Sequence, residues 1–304
     1  MTVGGRAGDG GDSDGGDPHV TAQRVLITGV SGRGGRLLVP RLSRPARSLR
    51  LLDLEAPSPQ IVPAGADVVI ASVTDLEAMT AACSEVDAVV HLAGQADEST
   101  FDVVVDRNIR GTHTVLEAAR RTGAPRVVLA SSHHAAGFHV HDDHADAGLP
   151  ADAVGRPDTL YGWSKVAAES LGRLYADRFG MQVIGLRLGG LRAVPESLRD
   201  LAVWLSPDDG ARLVEAALTT TAPGFHLVWG ISRNTRRWFT LTEGRRIGYE
   251  PRDDAEAYAD ALIARFGEPD FATDPALRRL GAGFCDAPLG VPMHRNRPAL
   301  GRSR

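Results

Sequence analysis

Hydrophobic residues along this chain form short runs that alternate with longer amphipathic stretches. From Arg24 onward, the runs rich in β-branched residues are RVLITG, SLRLLDL, ADVVIAS, DAVVHLAG, PRVVLASS and MQVIGLRLGG. Several of them are apolar throughout, which is typical of strands that a parallel sheet buries on both faces. The segments between them, notably residues 101–123 and 160–180, have helical length and period. This alternation predicts an α/β fold built on a doubly wound parallel sheet.

The pattern changes after Gly190, where the elements become shorter. It predicts a helix over Pro207–Thr219 and a strand in FHLVWGIS, residues 225–232. We expect this half to form a small C-terminal substrate cap on one domain spanning residues 23–292, not an independent domain. Residues 1–22, rich in Gly and Asp, are predicted to be a disordered extension, and residues 293–304 a loose basic tail.

Composition narrows the class of protein. The 304 residues are 43% hydrophobic, carry a net charge of -4 and have a pI near 6.2. Such a charge gives no electrostatic footprint for nucleic acid, and no apolar run is long enough to cross a bilayer. The two cysteines, Cys83 and Cys285, lack paired spacing, and the N-terminus has no secretory leader. We therefore expect a cytoplasmic globular protein with reduced cysteines.

A glycine-rich loop directly follows the first predicted strand. TGVSGRGG, residues 28–35, places glycines at 29, 32 and 35 between that strand and a predicted helix. Glycine permits a tight turn and close approach of backbone N–H groups to a pyrophosphate, which the helix N-terminus attracts. The context indicates a dinucleotide site, although a turn without a ligand is the alternative.

Asp53, at the end of the second predicted strand, favours NAD as the dinucleotide. A carboxylate there accepts hydrogen bonds from ribose hydroxyls and repels the extra phosphate of NADP. Arg33 and Arg36 are near enough in sequence to accommodate that phosphate. We interpret them instead as solvated charges on the first helix.

A tyrosine and a lysine four residues apart open the helix predicted at residues 160–180. In LYGWSK, Tyr161 and Lys165 lie on one helical face, where a phenol and an ammonium can share a site. A phenol is a poor base at neutral pH, and a nearby cation favours its phenolate form. An exposed helix pair is the alternative. A serine-terminated strand at the carboxyl edge of the same sheet makes the active-site interpretation stronger.

These motifs, together with HLAG at residues 91–94, NIRGT at 108–112 and SS at 131–132, resemble the extended short-chain dehydrogenase/reductase family. The resemblance implies a Rossmann domain that binds NAD. It makes Tyr161 the catalytic acid/base, Lys165 the residue that holds the nicotinamide ribose and lowers the tyrosine pKa, and Ser132 the residue that orients the reacting hydroxyl. The implied cofactor-binding residues are Gly29, Ser31, Gly32, Arg33, Gly35, Asp53, Leu92, Ala93, Gly94, Asn108, Tyr161 and Lys165. For Asn108, in mid-helix, we favour a structural role.

Four longer stretches are similar to the uronate dehydrogenases within that family: SSHHAAGFH, residues 187–209, residues 226–258 and GAGFCDAP. The similarity implies oxidation of the C1 hydroxyl of a cyclic hexuronic acid, such as glucuronate or galacturonate, to an aldarolactone. Its implied substrate contacts are Ser132, His133, His134 and Arg199, with Arg199 gripping the sugar carboxylate. Arg192 is the alternative carboxylate partner.

The chain also departs from that pattern. Ala96 and Gly190 stand where those enzymes usually have serine, and His133 where they have asparagine, so another sugar acid or a related polyol stays open as the substrate. Ser72 replaces an aspartate that commonly contacts adenine.

Two rival functions remain. A nucleotide-sugar epimerase or dehydratase would keep NAD bound and form no net NADH, whereas a non-catalytic dinucleotide-binding protein could dispense with Tyr161 and Lys165. The apolar helices at 101–122 and 161–179 favour a homo-oligomer. A histidine-rich segment could supply zinc ligands, but we expect a mobile loop and no native metal; its candidate ligands are His133, His134, His139, His141, Asp142, Asp143 and His144.

Overall fold

The computed structural model describes Met1, residues 23–144 and residues 147–293. Both predicted tails, apart from Met1 and Met293, lie outside these residues. The strands are β1 (Gln23–Thr28), β2 (Arg47–Asp53), β3 (Asp67–Ile70), β4 (Ala88–His91), β5 (Arg126–Ser132), β6 (Gln182–Leu188), β7 (Gly190–Leu191), β8 (Trp204–Leu205) and β9 (Phe225–Gly230). The helices are α1 (Arg33–Leu42), α2 (Leu76–Cys83), α3 (Phe101–Val104), α4 (Gly111–Thr122), α5 (Leu160–Phe179), α6 (Asp200–Val203), α7 (Pro207–Thr219), α8 (Thr242–Arg246), α9 (Ala259–Phe266) and α10 (Pro275–Arg278).

Seven parallel strands form one sheet in the order β3-β2-β1-β4-β5-β6-β9, which confirms the predicted doubly wound α/β fold. The chain adds β2 and β3 on one side of β1. It then crosses back and adds β4, β5, β6 and β9 on the other side. The carboxyl ends of β1 and β4 are paired at Thr28 and His91. The loops leaving these two strands diverge, and ligands of open α/β sheets bind in the resulting crevice.

Both faces of the sheet are covered, which explains the uninterrupted apolar runs. On one face, Val25 and Ile27 of β1 belong to a buried cluster with Leu38 of α1 and Leu213 of α7. On the other face, Leu26 belongs to a cluster built with α2, α4 and α5. Successive side chains of a strand point to opposite faces, so a strand covered twice needs apolar residues at every position.

A third buried cluster surrounds Trp229 of β9 and includes Trp238 and Phe239 from the segment after that strand. It includes Leu149 and Ala151, which come from the segment between β5 and α5. The Trp229 indole N–H donates to the Leu149 carbonyl at 2.9 Å and joins the two parts of the chain. The packing over the site therefore draws on residues from both sides of position 190.

Two elements differ in detail from the expectation. β3 is an edge strand with Val68 and Ile70 exposed, so the run ADVVIAS is covered less than its composition suggests. The helix predicted over residues 101–123 contains a wider turn of the π type, Val105–Arg110, between α3 and α4. None of the described helices has the length and apolar character needed to span a membrane.

Candidate active site

The glycine-rich loop leaves β1 at the crevice and adopts the backbone geometry that the sequence predicted. Gly29 has a φ of 76°, and an added Cβ there would collide with the backbone of Ala93 in the loop after β4. At Gly35, a Cβ would collide with the backbone of Val30. The loop and the first turn of α1 can therefore pack this closely only with glycine at both positions.

Two parts of this loop leave hydrogen-bond donors without a partner among the described residues. The N-cap of α1, Gly32, supplies no side-chain hydrogen bond to the first N–H groups of the helix. The Ser31 hydroxyl is buried and makes no hydrogen bond with any described residue. Unpaired donors at the start of a helix form an anion site. The loop therefore fits a pyrophosphate, as expected for the predicted NAD.

Asp53 is placed at the loop as the sequence predicted. Its carboxylate accepts hydrogen bonds from the N–H groups of Ser31 at 2.8 Å and Leu54 at 2.7 Å. The two arginines nearby contact protein groups: Arg33 lies 3.9 Å from Asp97, and Arg36, which is not the solvated charge expected, donates to the Ser31 carbonyl of this same loop at 2.7 Å. This arrangement supports NAD over NADP.

The loop after β4 carries Leu92, Ala93 and Gly94 and forms the other wall of the crevice. Asn108, buried in the π turn, clamps this loop to α5. Its side-chain oxygen accepts from the Gln95 N–H at 2.6 Å, and its side-chain nitrogen donates to the Gln95 carbonyl and, at 2.8 Å, to the Ser164 hydroxyl. These contacts agree with the structural role favoured for Asn108.

The carboxyl end of β5 and the first turns of α5 bring together Ser132, Tyr161 and Lys165. Ser132 and Tyr161 are buried, and the Ser132 hydroxyl is close enough to the phenol to lower its pKa by hydrogen bonding. Lys165 donates from Nζ to the Ala130 carbonyl at 2.8 Å and lies 5.6 Å from the centre of the Tyr161 ring. The structure thus brings together all three residues predicted to be catalytic.

The electrostatics of this trio differ from the expectation. Burial raises the pKa of Tyr161 to about 12, while the hydrogen bond from Ser132 lowers it. Burial also lowers the pKa of Lys165 to about 8, which Glu169, one turn further along α5, partly offsets. The predicted lowering of the tyrosine pKa is therefore outweighed by desolvation in this structure, since the ammonium is bonded to a carbonyl instead of the phenol.

Two oxygen groups fix the start of α5. The Thr159 hydroxyl accepts from the Gly162 N–H at 3.0 Å, and the buried Glu98 carboxylate accepts from the Tyr161 N–H at 2.9 Å. The other Glu98 oxygen accepts from the Gly290 N–H at 2.7 Å. Glu98, which the sequence did not single out, thus ties the end of the described chain to the catalytic helix.

Arg199 lies beside the predicted substrate histidines. From Nη2 it donates to His133 Nε2 at 2.6 Å and to the Leu280 carbonyl, whereas its buried Nε finds no acceptor among the described residues. His133 also donates from Nδ1 to the Leu188 carbonyl at 2.7 Å, so both of its ring nitrogens are engaged within the protein. Burial lowers the His133 pKa and keeps the ring neutral, which lets Nε2 accept from the guanidinium. A direct contact of His133 with substrate stays a prediction.

The space beside Gly190 is occupied. A Cβ at this position would lie 2.9 Å from an Asp200 oxygen and 3.6 Å from Arg192 Nε. Arg192 and Asp200 form an ion pair at 3.3 Å, and Arg192 Nε is buried without a partner among the described residues. An ion pair therefore stands where the relatives would place a serine side chain. Ala96, the other missing serine, is exposed on the loop after β4.

His134 is buried between Tyr161 and Phe284, with ring centroids 5.8 Å and 4.0 Å away. Its Nδ1 is hydrogen-bonded to Asp158 at 2.6 Å. Asp158 and Phe284 were missed by the sequence analysis. An aspartate one residue before a helix N-cap is usually a surface residue, and nothing in the pattern of PDTLYGWSK shows that it points inward.

The remaining histidines of the segment contact protein groups. His139 is bonded to His144 at 3.2 Å and to the Val154 carbonyl at 2.9 Å, and His141 lies 3.3 Å from Asp142. In the part of the chain that the structure describes, no three histidine, cysteine or acidic side chains are grouped so that they could hold a metal ion. At the carboxyl end of β3, Ser72 bonds the Thr74 hydroxyl at 2.8 Å.

Comparison with known proteins identifies the family. Residues 25–192 match the NAD dependent epimerase/dehydratase family. A uronate dehydrogenase from Agrobacterium fabrum is 36% identical, covering 88% of this chain and 98% of the relative, and one from Pseudomonas putida is 35% identical, covering 87% and 96%. An NAD-dependent glucose-6-phosphate dehydrogenase from Haloferax volcanii is 35% identical and covers 78% of this chain and 95% of the relative.

Solved structures agree. The crystal structure of uronate dehydrogenase from Agrobacterium tumefaciens superposes with a TM-score of 0.80 at 35% identity, covering 88% of this chain and 97% of that one. A mutant of it, complexed with NAD, has a TM-score of 0.80 at 34% identity, covering 88% and 98%. The predicted cofactor and fold are thereby confirmed. The chain belongs to the NAD-dependent epimerase/dehydratase family and is an NAD-dependent dehydrogenase acting on a CH–OH group.

Proposed function

We propose that this protein oxidises the C1 hydroxyl of a cyclic hexuronic acid, such as glucuronate or galacturonate, to the corresponding aldarolactone. The observation that carries the proposal is Arg199, which holds a buried guanidinium nitrogen without an acceptor next to His133 and His134. A buried donor without a partner is costly and calls for an acceptor that the described protein residues do not supply. A sugar carboxylate is such an acceptor.

The reaction removes a proton from the C1 hydroxyl and a hydride from C1, and leaves the carbonyl of a lactone. When bound, NAD supplies the acceptor for the hydride. Gly29, Ser31, Gly32 and Asp53 would hold it on the side of β1, and Leu92, Ala93 and Gly94 on the side of β4. Tyr161 takes the proton in its phenolate form, which the neighbouring Lys165 ammonium favours against the effect of burial. Ser132, whose hydroxyl acts on the Tyr161 phenol by hydrogen bonding, holds the reacting oxygen next to the base.

Arg199 determines which ring carbon meets the base. A guanidinium that binds a carboxylate fixes the far end of the sugar and so orients C1. The guanidinium is held by His133 and the Leu280 carbonyl. Arg192 is less suited to this role, because its charge is paired with Asp200 at 3.3 Å and Glu196 at 3.1 Å, although its Nε has no partner among the described residues.

The proposal is tested by NADH formation with glucuronate, galacturonate, glucose, galactose, glucose 6-phosphate and a nucleotide-sugar. We expect turnover of the uronates above all others. Arg199→Gln should raise KM for the uronate by about 10- to 100-fold, since a charged hydrogen bond is lost, and should leave KM for the matching neutral sugar unchanged. Tyr161→Phe should lower kcat by at least about 100-fold while NAD binding persists.

Arg212→Gln is the matched control, because Arg212 pairs with Asp209 and Asp253 outside the site. It should leave KM for the uronate unchanged. Preferred turnover of the neutral sugar or the sugar phosphate would contradict the assigned substrate. Conversion of the nucleotide-sugar without net NADH would show the epimerase or dehydratase reaction instead.

A further inference from the structure

Asp158 is a fully enclosed carboxylate behind the candidate active site, and the mechanism above gives it no role. Its side chain has 0% exposure. Three glycines, Gly137, Gly162 and Gly281, face the carboxylate, and a Cβ on any of them would collide with it; at Gly162 the separation would be 2.9 Å. The surrounding backbone is therefore shaped to hold this group.

The partners of Asp158 are few. One carboxylate oxygen accepts from the Thr159 hydroxyl at 2.9 Å, and the other meets His134 Nδ1 at 2.6 Å. No arginine or lysine among the described residues forms an ion pair with it. Burial raises the pKa of Asp158 and lowers that of His134. A buried carboxylate without a cation costs stability, so its placement needs another explanation.

The hydrogen bond to Asp158 determines what His134 can offer on its other edge. In its ionised form Asp158 can only accept, which puts the proton on Nδ1 and a lone pair on Nε2; burial raises the Asp158 pKa to about 7, so this form prevails above that pH. No described residue hydrogen-bonds Nε2. The ring cannot turn easily, because Phe284 stacks on it and Tyr161 packs against its edge. The imidazole is thus fixed in position and tautomer beside the catalytic tyrosine.

We infer that Asp158 is a positioning residue that orients His134 so that Nε2 accepts a hydrogen bond from a ring hydroxyl of the substrate next to C1. The inference rests on the proposed function for the identity of the substrate. A ring hydroxyl that donates to Nε2 keeps its own lone pairs for other donors and holds the sugar against the Tyr161–Ser132 pair. The opposite tautomer would present an N–H there and reverse this hydrogen bond.

The sharpest test replaces Asp158 by an apolar residue of similar shape. Asp158→Leu removes a buried charge that has no cation but leaves the Thr159 hydroxyl and His134 Nδ1–H without their acceptor, so the melting temperature should fall by several degrees while the protein stays folded. It should nevertheless lower kcat/KM for the uronate by about 10- to 100-fold, because His134 loses its orientation. Asp158→Asn keeps an acceptor for Nδ1 and should recover part of that loss. Full activity of Asp158→Leu would overturn the inference.

A double-mutant cycle tests whether Asp158 acts through His134. Asp158→Leu added to His134→Gln should cost no further activity, since residues of one unit are not additive. An independent loss in the double variant would contradict the inference. Asp209→Asn is the matched control: Asp209 is equally enclosed, but its partners Arg212, Arg252 and Asp253 are not residues of the site. It should lower the melting temperature and leave kcat/KM unchanged.

A spectroscopic measurement on the full chain without substrate separates this inference from the proposed function. With nitrogen-15-labelled histidine, and His134→Gln to assign the signal, His134 should be protonated on Nδ1 in the native protein and in Asp158→Asn. That hydrogen-bonded proton should disappear in Asp158→Leu. A native His134 protonated on Nε2 would overturn the inference, even if the protein oxidises uronates. Failure to oxidise any uronate, with the expected spectrum, would instead count against the proposed function.

Discussion

At the scale of single residues, Gly190 shows how the space left by an absent side chain can be occupied by side chains from other positions. Gly190 looks like the loss of a hydroxyl when only the sequence is considered. In the fold, the vacated space holds the Arg192–Asp200 ion pair. One Asp200 oxygen also accepts from the N–H groups of Glu196 and Ser197, and so holds the loop that carries Arg199. Gly190 therefore supports the substrate arginine indirectly.

This leads to a prediction for position 190. Gly190→Ser should push Asp200 away, cost about 1–3 kcal/mol of stability as an overpacked site, and raise KM for the uronate. Gly190→Ala should behave alike, because the collision arises from the Cβ and not from the hydroxyl. Urea unfolding and NADH assays on the two variants measure both effects. A serine variant that binds the uronate more tightly than the native protein would show that the ion pair does not occupy this space.

The residue scale also shows which parts of the site are visible in the sequence. Tyr161 and Lys165 share a helical face and Ser132 ends a strand, so local periodicity brings them to one edge of the sheet. The contacts that hold them are remote: Asp158 meets His134 across 24 residues, Arg199 meets Leu280 across 81, and Glu98 meets Gly290 across 192. Periodicity states which face a residue occupies, not which side chain it meets there.

At the scale of elements, the predictions succeed where burial is symmetric. Strands covered on both faces, such as β1, have a continuous apolar run that sequence can recognise. β3 has a similar apolar run but lies at the sheet edge, where one side is exposed. Composition alone does not determine the order of the strands in a sheet. The π turn at Val105–Arg110 escapes a periodicity argument, because its 6 residues are too few to define a period of their own. That turn directs Asn108 inward to Ser164.

Helix α5 supports a prediction about assembly. Its inner face carries Tyr161 and Ser164, while Trp163, Leu174 and Phe179 are exposed; Phe101 stacks on Trp163 with ring centroids 5.9 Å apart. Apolar side chains repeated along one exposed helix are typical of an interface. We expect a homo-oligomer through the face of α5 that carries Trp163 and Leu174, which are 11 residues apart, and Leu174→Glu should convert it to a monomer in sedimentation velocity.

The matched control for this experiment is Phe266→Glu, which places the same charge at an exposed apolar residue of α9. It should leave the sedimentation coefficient unchanged. Native protein that sediments as a monomer would refute the predicted homo-oligomer, and an oligomer disrupted equally by both variants would exclude α5 as its interface.

At the scale of the whole molecule, buried neutral histidines should govern stability in acid. His91 lies between the two halves of the sheet, bonded to the Thr28 hydroxyl at 2.8 Å, and burial lowers its pKa to about 3. Burial also lowers the pKa of His133. The unfolded chain binds protons at both histidines below their ordinary pKa of about 6.5, whereas the folded chain does not. The raised pKa of Asp158 has the opposite effect on stability in acid and offsets the lowered pKa of His134.

The free energy of unfolding should therefore fall as the pH drops below about 6.5, by about 1.4 kcal/mol per pH unit for each of the two histidines. For His91, the decrease continues down to its folded pKa of about 3. In urea unfolding across this range, His91→Gln should reduce the pH slope of the free energy of unfolding by the contribution of one histidine, about 1.4 kcal/mol per pH unit. The same substitution should lower the stability at neutral pH. Thr112→Val removes the hydroxyl 3.4 Å from His91 Nε2 but leaves the titrating ring, and should lower stability without changing the slope. Equal slopes in the native protein and His91→Gln would place the acid sensitivity elsewhere.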